Sequence, residues 1–170
     1  MLGKNFEEAG IAVLSAEGKG NLDKPYAIFR ELGIPVYVLW DCDRGKADKN
    51  PAANLALLRL AREDENIVEV TPSTIVAANY AHFEDTLEAV IRAELTPEVH
   101  RACLASACEP FGLTPSNENQ KIPEIMFHTL NSAKAQGAIC ETLHALVRAI
   151  WLHLVGEEML EGDPATTQAA

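Results

Sequence analysis

The chain has 170 residues, of which 48% are hydrophobic, and it carries a formal net charge of −11 at pH 7. This length and composition suffice for one well-buried core with an appended subdomain. The negative charge argues against a broad basic surface that binds nucleic acid by neutralising phosphates. It does not exclude a nuclease, because an acidic metal site contributes several of these charges.

The sequence also argues against a membrane-spanning segment and a secretory leader. No apolar run approaches the roughly 18 residues that span a bilayer, and the first residues lack the basic-then-apolar order of a signal peptide. We therefore expect a cytoplasmic protein without a membrane partner. None of the cysteines is in a Cys-x-x-Cys pair, so buried thiols are favoured over disulfides or a zinc site. They are Cys42, Cys103, Cys108 and Cys140.

The first third of the chain is typical of an α/β fold. Residues 11–14 are a short apolar run before a glycine-rich turn, which predicts a strand. Asn21 or Asp23 then opens a helix that Gly33 ends. The apolar run at 36–40 predicts a central strand buried on both faces of a parallel sheet.

The later elements predict a shift from α/β to helical structure. A helix is expected from Asn50-Pro51 to about residue 62, because proline favours the first helical position. A strand is further expected at 67–70, and helices are expected at 84–95, 98–108 and 139–160, with a further short helix entered at 121–124. The predicted organisation is an α/β core at 1–73, a helical part at 74–161 that packs on this core, and a disordered tail at 162–170.

The strand at 36–40 ends in Asp41-Cys42-Asp43. Residues i and i+2 of an extended chain point to the same side, so both carboxylates are expected together where open α/β sheets have their sites. Carboxylates about 4 Å apart repel by roughly 4 kcal/mol at an effective dielectric near 20. A cation is therefore expected between them, and Mg²⁺ is the simplest choice. The alternative is a polar turn in which Asp43 caps the next segment of the chain.

The order of these features resembles the carboxyl-terminal Toprim nuclease region of OLD-family (overcoming lysogenisation defect) ATP-dependent endonucleases. The residues that carry the resemblance are 10–22, 32–35, 41–43 and 83–88, and it extends roughly from Gly10 to Leu154. It implies a parallel Toprim-like, Rossmann-like sheet with a C-terminal helical subdomain. It also implies metal-dependent hydrolysis of DNA and an ABC-type ATPase domain, upstream or on another chain.

The resemblance further implies a set of site residues. Asp41 and Asp43 would be metal ligands, and Glu84 and Glu88, on one face of a predicted helix, would complete the metal sites. Two Mg²⁺ or Mn²⁺ ions about 4 Å apart would activate water and neutralise the leaving oxygen. Lys121 would stabilise charge on the phosphoryl oxygens. The alternatives are a solvated helix face and an ordinary surface lysine.

The sequence departs from the Toprim pattern at its start. Toprim domains have a first-strand Glu-Gly element, then a helix, a strand and another helix before Asp-x-Asp. Here Glu17-Gly18 precedes Asp41 by 24 residues, which leaves room for one helix and one strand. We expect the first strand and its glutamate upstream of Met1, in which case this is a truncated domain. In a rival alignment Glu17 is the motif glutamate, and in either case it is a candidate secondary metal ligand.

These features support two functional hypotheses. The first is a divalent-metal-dependent DNA endonuclease module, with Asp41, Asp43, Glu84 and Lys121 as catalytic residues, impaired by loss of the first-strand glutamate. The second is a catalytically inactive Toprim-derived interaction or regulatory domain, with a homodimer as one expected assembly. Primase-like or topoisomerase-like chemistry is less favoured. The Gly18-Lys19-Gly20 turn lacks the order of a phosphate-binding P-loop.

Overall fold

The computed structural model describes residues 5–46 and 50–156. The described chain forms two compact units, one made of residues up to Glu84 together with those from His144 onward, the other of Asp85–Leu143. In chain order the elements are α1 Asp23–Glu31, β1 Val38–Asp41, α2 Pro51–Arg62, β2 Ile75–Val76, β3 Tyr80–Phe83, α3 Leu87–Glu94, α4 Pro97–Cys108, α5 Pro123–Ala135 and α6 Glu141–Val155, with 3-10 turns at Lys19–Asn21, Glu109–Phe111 and Asn119–Lys121.

The strands of the first unit form one mixed sheet in the order β1, β3, β2. β1 is parallel to β3, with Asp41 opposite Phe83, whereas β2 is antiparallel to β3. The predicted α/β class is observed, but the predicted all-parallel sheet is not. The difference arises because a short connection joins β2 to β3, and only antiparallel neighbours can be joined so tightly. Within the described sheet, β1 is an edge strand rather than the predicted central one.

Two predicted strands are wrong. Residues 11–14 and 67–70 are irregular, and Val13 and Val68 are each 83% exposed. An apolar run becomes a strand when its backbone N–H and C=O groups pair with a neighbouring strand. In the described residues, the sheet pairing is made by β1, β2 and β3 alone, so these two runs are left outside the sheet.

The helices agree better with the sequence. The side chain of Asn50 accepts a hydrogen bond from the N–H of Ala53, and α2 starts at Pro51 as predicted. α1 ends before Gly33, whose φ of +70° suits glycine. α6, Glu141–Val155, lies within the helix predicted at 139–160. Residues 157–160 of that prediction, and the tail predicted at 162–170, lie outside the described residues.

The first unit is held by one apolar cluster around Trp40, which is 3% exposed. Its ring stacks on Tyr80 with the centroids 5.8 Å apart, and Leu57 of α2 is 1% exposed in the same cluster. This cluster attaches α1 and α2 to the sheet and so determines where the ends of β1 and β3 lie. The domain boundary predicted at residue 74 stays a prediction, although β2 and β3 continue the first unit to Glu84.

The second unit is helical, as the sequence of this region predicts. Ile91, Leu95 and Cys103 are at most 2% exposed in its main apolar cluster. Glu94 of α3 stabilises the start of α6, because its Oε2 accepts from the N–H of Thr142 at 3.0 Å and its Oε1 from the hydroxyl at 2.5 Å. All four cysteines of the chain are free and buried, which confirms the prediction of buried thiols.

Among the described residues, none of the helices is long and apolar enough to cross a bilayer.

Acidification is expected to destabilise the fold through buried histidine. His100 of α4 is 5% exposed; burial lowers its pKa, and the charge of Arg92 lowers it further. The unfolded chain then binds a proton at higher pH than the folded chain, so the free energy of unfolding falls as pH drops below about 6.5. Burial also lowers the pKa of His82. Each histidine contributes up to about 1.4 kcal/mol per pH unit.

The measurement is urea denaturation between pH 7.5 and 5.5. H100Q is expected to flatten the dependence of unfolding free energy on pH, whereas H128Q, at an exposed position of α5, is the matched control. An H100Q profile as steep as that of the unsubstituted protein would contradict the assignment.

Candidate functional site at the ends of β1 and β3

β1 and β3 end side by side, and both continue into acidic residues. Beyond the strands, the N–H of Cys42 donates to the carbonyl of Phe83 at 2.8 Å. The N–H of Arg44 donates to the carbonyl of Glu84 at 3.1 Å. The parallel pairing therefore extends past Asp41 and brings the loop after β1 beside Glu84. We call Asp41, Asp43 and Glu84 the acidic rim.

Both carboxylate oxygens of Asp43 bind ammonium groups. Lys19 Nζ donates to Oδ2 at 2.9 Å, and Lys46 Nζ donates to Oδ1. Asp43 is in the left-handed region, with φ 54°, a conformation that aspartate tolerates better than most residues. Burial alone would raise its pKa, but the hydrogen bonds and charges of Lys46 and Lys19 outweigh burial and lower the pKa. Asp43 is therefore ionised at neutral pH and neutralised by lysines.

Lys19 reaches the rim from a turn that depends on glycine. Gly18 has φ 134°, which side chains rarely allow, and a Cβ placed on Gly20 would lie 3.4 Å from Nδ2 of Asn50, at the start of α2. From this turn Lys19 Nζ also donates to the main-chain carbonyl of Asp41 at 3.0 Å. Its side chain is only 10% exposed. The ammonium thus joins the end of β1 to Asp43.

Glu84 is paired as well. Its carboxylate forms an ion pair with Arg44, and its N–H donates to Thr74 Oγ1 at 3.2 Å. The side chains of Arg44 and Glu84 are 64% and 42% exposed, so solvent screens this pair and it contributes little to stability. The carboxylates of Asp43 and Glu84 therefore pair with cations of the same chain.

Residues behind the rim contact the backbone from which it is built. Asn54 of α2 donates from Nδ2 to the carbonyl of Cys42 at 3.3 Å, between the two aspartates. Burial raises the pKa of the Cys42 thiol, so the thiol is protonated at neutral pH. His82 Nδ1 lies 2.8 Å from the carbonyl of Ser73 and 3.6 Å from Cys42 Sγ. It is a packed histidine, 1% exposed.

The other predicted site residues are not part of this rim. Glu17 is exposed, with φ 55°, in the loop before the lysine turn. Glu88 lies in α3 and Lys121 in a 3-10 turn, both in the second unit, where Lys121 Nζ is 4.0 Å from Glu118 Oε1. The prediction that Glu84 and Glu88 share a helix is wrong, because α3 begins at Leu87, beyond Glu84. Their roles as metal ligands stay predictions.

The rim does not fit a divalent ion in this arrangement. Within 5–46 and 50–156, no three His, Cys, Asp or Glu residues are grouped to hold a metal. Mg²⁺ requires near-octahedral oxygen ligands, but both oxygens of Asp43 bind ammonium groups. A divalent ion about 4 Å from an ammonium is repelled by about 8 kcal/mol at an effective dielectric of 20.

Sequence reasoning missed the basic half of the site. The repulsion between Asp41 and Asp43 predicts a bound cation, but the cations observed on Asp43 are two lysine side chains. Arg44 and Lys46 come directly after the Asp-x-Asp, which is a local signal that the rim is neutralised. Lys19 is flanked by two glycines, and nothing in its own neighbourhood indicates a contact with Asp43.

The comparison with protein families agrees with the first part of the chain. Residues 1–43 match the model described as Overcoming lysogenization defect protein-like, TOPRIM domain. The match contains Glu17, Lys19 and the Asp41–Asp43 pair, and it covers 43 of the 170 residues. No curated protein and no solved structure matches the chain. The resemblance drawn as far as Leu154 is thus supported up to Asp43.

Proposed function

We propose that this chain is a Toprim-type domain of a nucleic-acid-processing protein and that it is catalytically inactive by itself, serving as an interaction or regulatory domain. The observation that carries the proposal is the pairing of both Asp43 oxygens with the ammonium groups of Lys19 and Lys46. The match of residues 1–43 to an OLD-like Toprim domain supports the connection with nucleic acid.

A neutralised rim is unsuited to phosphodiester hydrolysis. Hydrolysis requires an activated water and a neutralised leaving oxygen, which metal ions supply in acidic sites of this kind. The three rim carboxylates carry three negative charges, and Lys19, Arg44 and Lys46 carry three positive charges. The negative field that would concentrate divalent ions is thereby cancelled.

The second candidate is the metal-dependent DNA endonuclease. Carboxylates at the ends of two adjacent parallel strands favour it, because α/β sheets have their sites there. It requires Lys19 and Lys46 to leave Asp43, after which the rim would bind Mg²⁺ or Mn²⁺. Glu17, Glu88 and Lys121 keep their predicted roles in this candidate, as do the ABC-type ATPase domain and the homodimer as partners.

Plasmid nicking in Mn²⁺ and in Mg²⁺ separates the two candidates. We expect no nicked plasmid above the level of D41N, and no difference in metal-induced melting shift between the unsubstituted protein and D41N. E31Q, a substitution of an exposed glutamate at the end of α1, is the control for a lost surface charge. Nicking that D41N abolishes and E31Q retains would establish the endonuclease and overturn the inactive domain.

A further inference from the structure

We infer that Lys19 is a resident cation that takes the place of a divalent ion at the acidic rim, and that removing its charge raises the affinity of the rim for divalent ions. The inference rests on the proposed function, because it explains why the rim is inactive. It concerns the cation rather than the carboxylates, and it identifies one residue whose charge opposes metal binding.

The contacts of Lys19 are those of a bound ion. A buried ammonium has three donors to satisfy, and Lys19 Nζ uses one on Asp43 Oδ2 at 2.9 Å and one on the carbonyl of Asp41 at 3.0 Å. Carboxylate and main-chain carbonyl oxygens are also the ligands that hard divalent cations prefer. Oxygens that would suit a metal ion therefore converge on the ammonium nitrogen.

The turn that contains Lys19 is distant in sequence from Asp43. Lys19 precedes Asp43 by 24 residues, so the contact depends on the tertiary fold. The turn depends on the φ of Gly18. At 10% exposure the side chain has little room to leave the rim while the turn persists.

Lys46 is a weaker competitor. It lies three residues after Asp43, and its side chain is 59% exposed. It binds Oδ1 of Asp43, the carboxylate oxygen that Lys19 does not contact. An exposed lysine exchanges readily between a carboxylate and water, because such ion pairs contribute little free energy. A divalent ion can displace Lys46 at a small cost in free energy. The ammonium of Lys19 stays in place and repels the ion.

Loss of the Lys19 charge leaves the main-chain carbonyl of Asp41 and Oδ2 of Asp43 without the ammonium that they bind. We expect K19M and K19Q to bind Mn²⁺ at least about tenfold more tightly than the unsubstituted protein, and to gain several degrees in melting temperature in millimolar Mn²⁺. K24M, which removes an exposed lysine of α1, is the matched control. Binding is measured by the loss of the free Mn²⁺ signal in electron paramagnetic resonance.

The control K19M/D43N tests whether the gained site is the rim, and we expect it to lose the added Mn²⁺ binding. Equal Mn²⁺ affinity in K19M, K19Q and the unsubstituted protein overturns the inference and leaves the inactive domain intact. Plasmid nicking by the unsubstituted protein overturns the proposed function instead. Should both variants be unfolded without metal, refolding in Mn²⁺ supports the inference and its absence overturns it.

Discussion

Replacing Trp40 with alanine is expected to cost about 3–5 kcal/mol of unfolding free energy. Trp40 is 3% exposed in the cluster that joins β1 to α1 and α2, and its ring packs on Tyr80 and on His82, 5.2 Å away between centroids. Alanine leaves a cavity among these rings that the sheet cannot close. Urea denaturation monitored by circular dichroism measures the loss.

L39A is the matched control for W40A, because it lies one position earlier on the same strand but its side chain is 42% exposed. We expect L39A to cost about 0.5 kcal/mol. If L39A and W40A destabilised the protein equally, the two faces of β1 would be assigned wrongly, and the position of Asp41 at the end of this strand would lose its support.

Replacing Asp43 with asparagine is expected to cost about 1.5–3 kcal/mol, the range for hydrogen bonds to charged groups. The substitution leaves the ammonium of Lys19, 10% exposed, without its carboxylate. Asparagine is the informative change because it tolerates the φ of 54° at this position, so backbone strain does not add to the loss. Thermal and urea denaturation at neutral pH measure it.

The double variant K19M/D43N completes the test. In the K19M background, D43N no longer leaves an unpaired buried ammonium. D43N should therefore cost less unfolding free energy in K19M than in the unsubstituted protein. We expect a coupling free energy of about 1 kcal/mol or more. Additive losses would mean that Lys19 and Asp43 do not interact in solution. K24M/D43N, in which an exposed lysine is replaced, is the control, and its two losses are expected to add.

The helices were predictable because their signals are local. Asn50 before Pro51 starts α2 through a cap and a fixed φ, and Thr96 before Pro97 does the same for α4. These signals lie within one helical turn of the residues they organise. Boundaries were less predictable for α5, which extends to Ala135.

The strands were harder to predict because pairing is not local. β3 is buried at all four positions, so it lacks the alternation that identifies a half-buried strand. β2 has only two residues. Conversely, residues 11–14 have the composition of a strand, yet Val13 is exposed and the segment is irregular. Which run joins the sheet is decided by the available neighbours rather than by composition.

The site also has features with a local sequence signal and features that depend on tertiary contacts. The adjacency of Asp41 and Asp43 at the end of β1 was predictable from the sequence, because a buried strand before two acids is a local pattern. The pairing of Glu84 with Arg44 depends on the register of β1 against β3. The contact from Lys19 joins residues 24 apart through the turn at Gly18, and no local pattern indicates it.

The decisive experiment is to grow crystals of the protein in Mn²⁺ and to locate bound manganese in an anomalous difference map. It tests whether lysines neutralise the acidic rim. We expect Lys19 Nζ within hydrogen-bond distance of Asp43 Oδ2, as at 2.9 Å here, and no anomalous peak beside it. A manganese peak bound by Asp41 and Asp43, with Lys19 turned away, would refute the neutralised rim and return the chain to the metal-dependent nucleases.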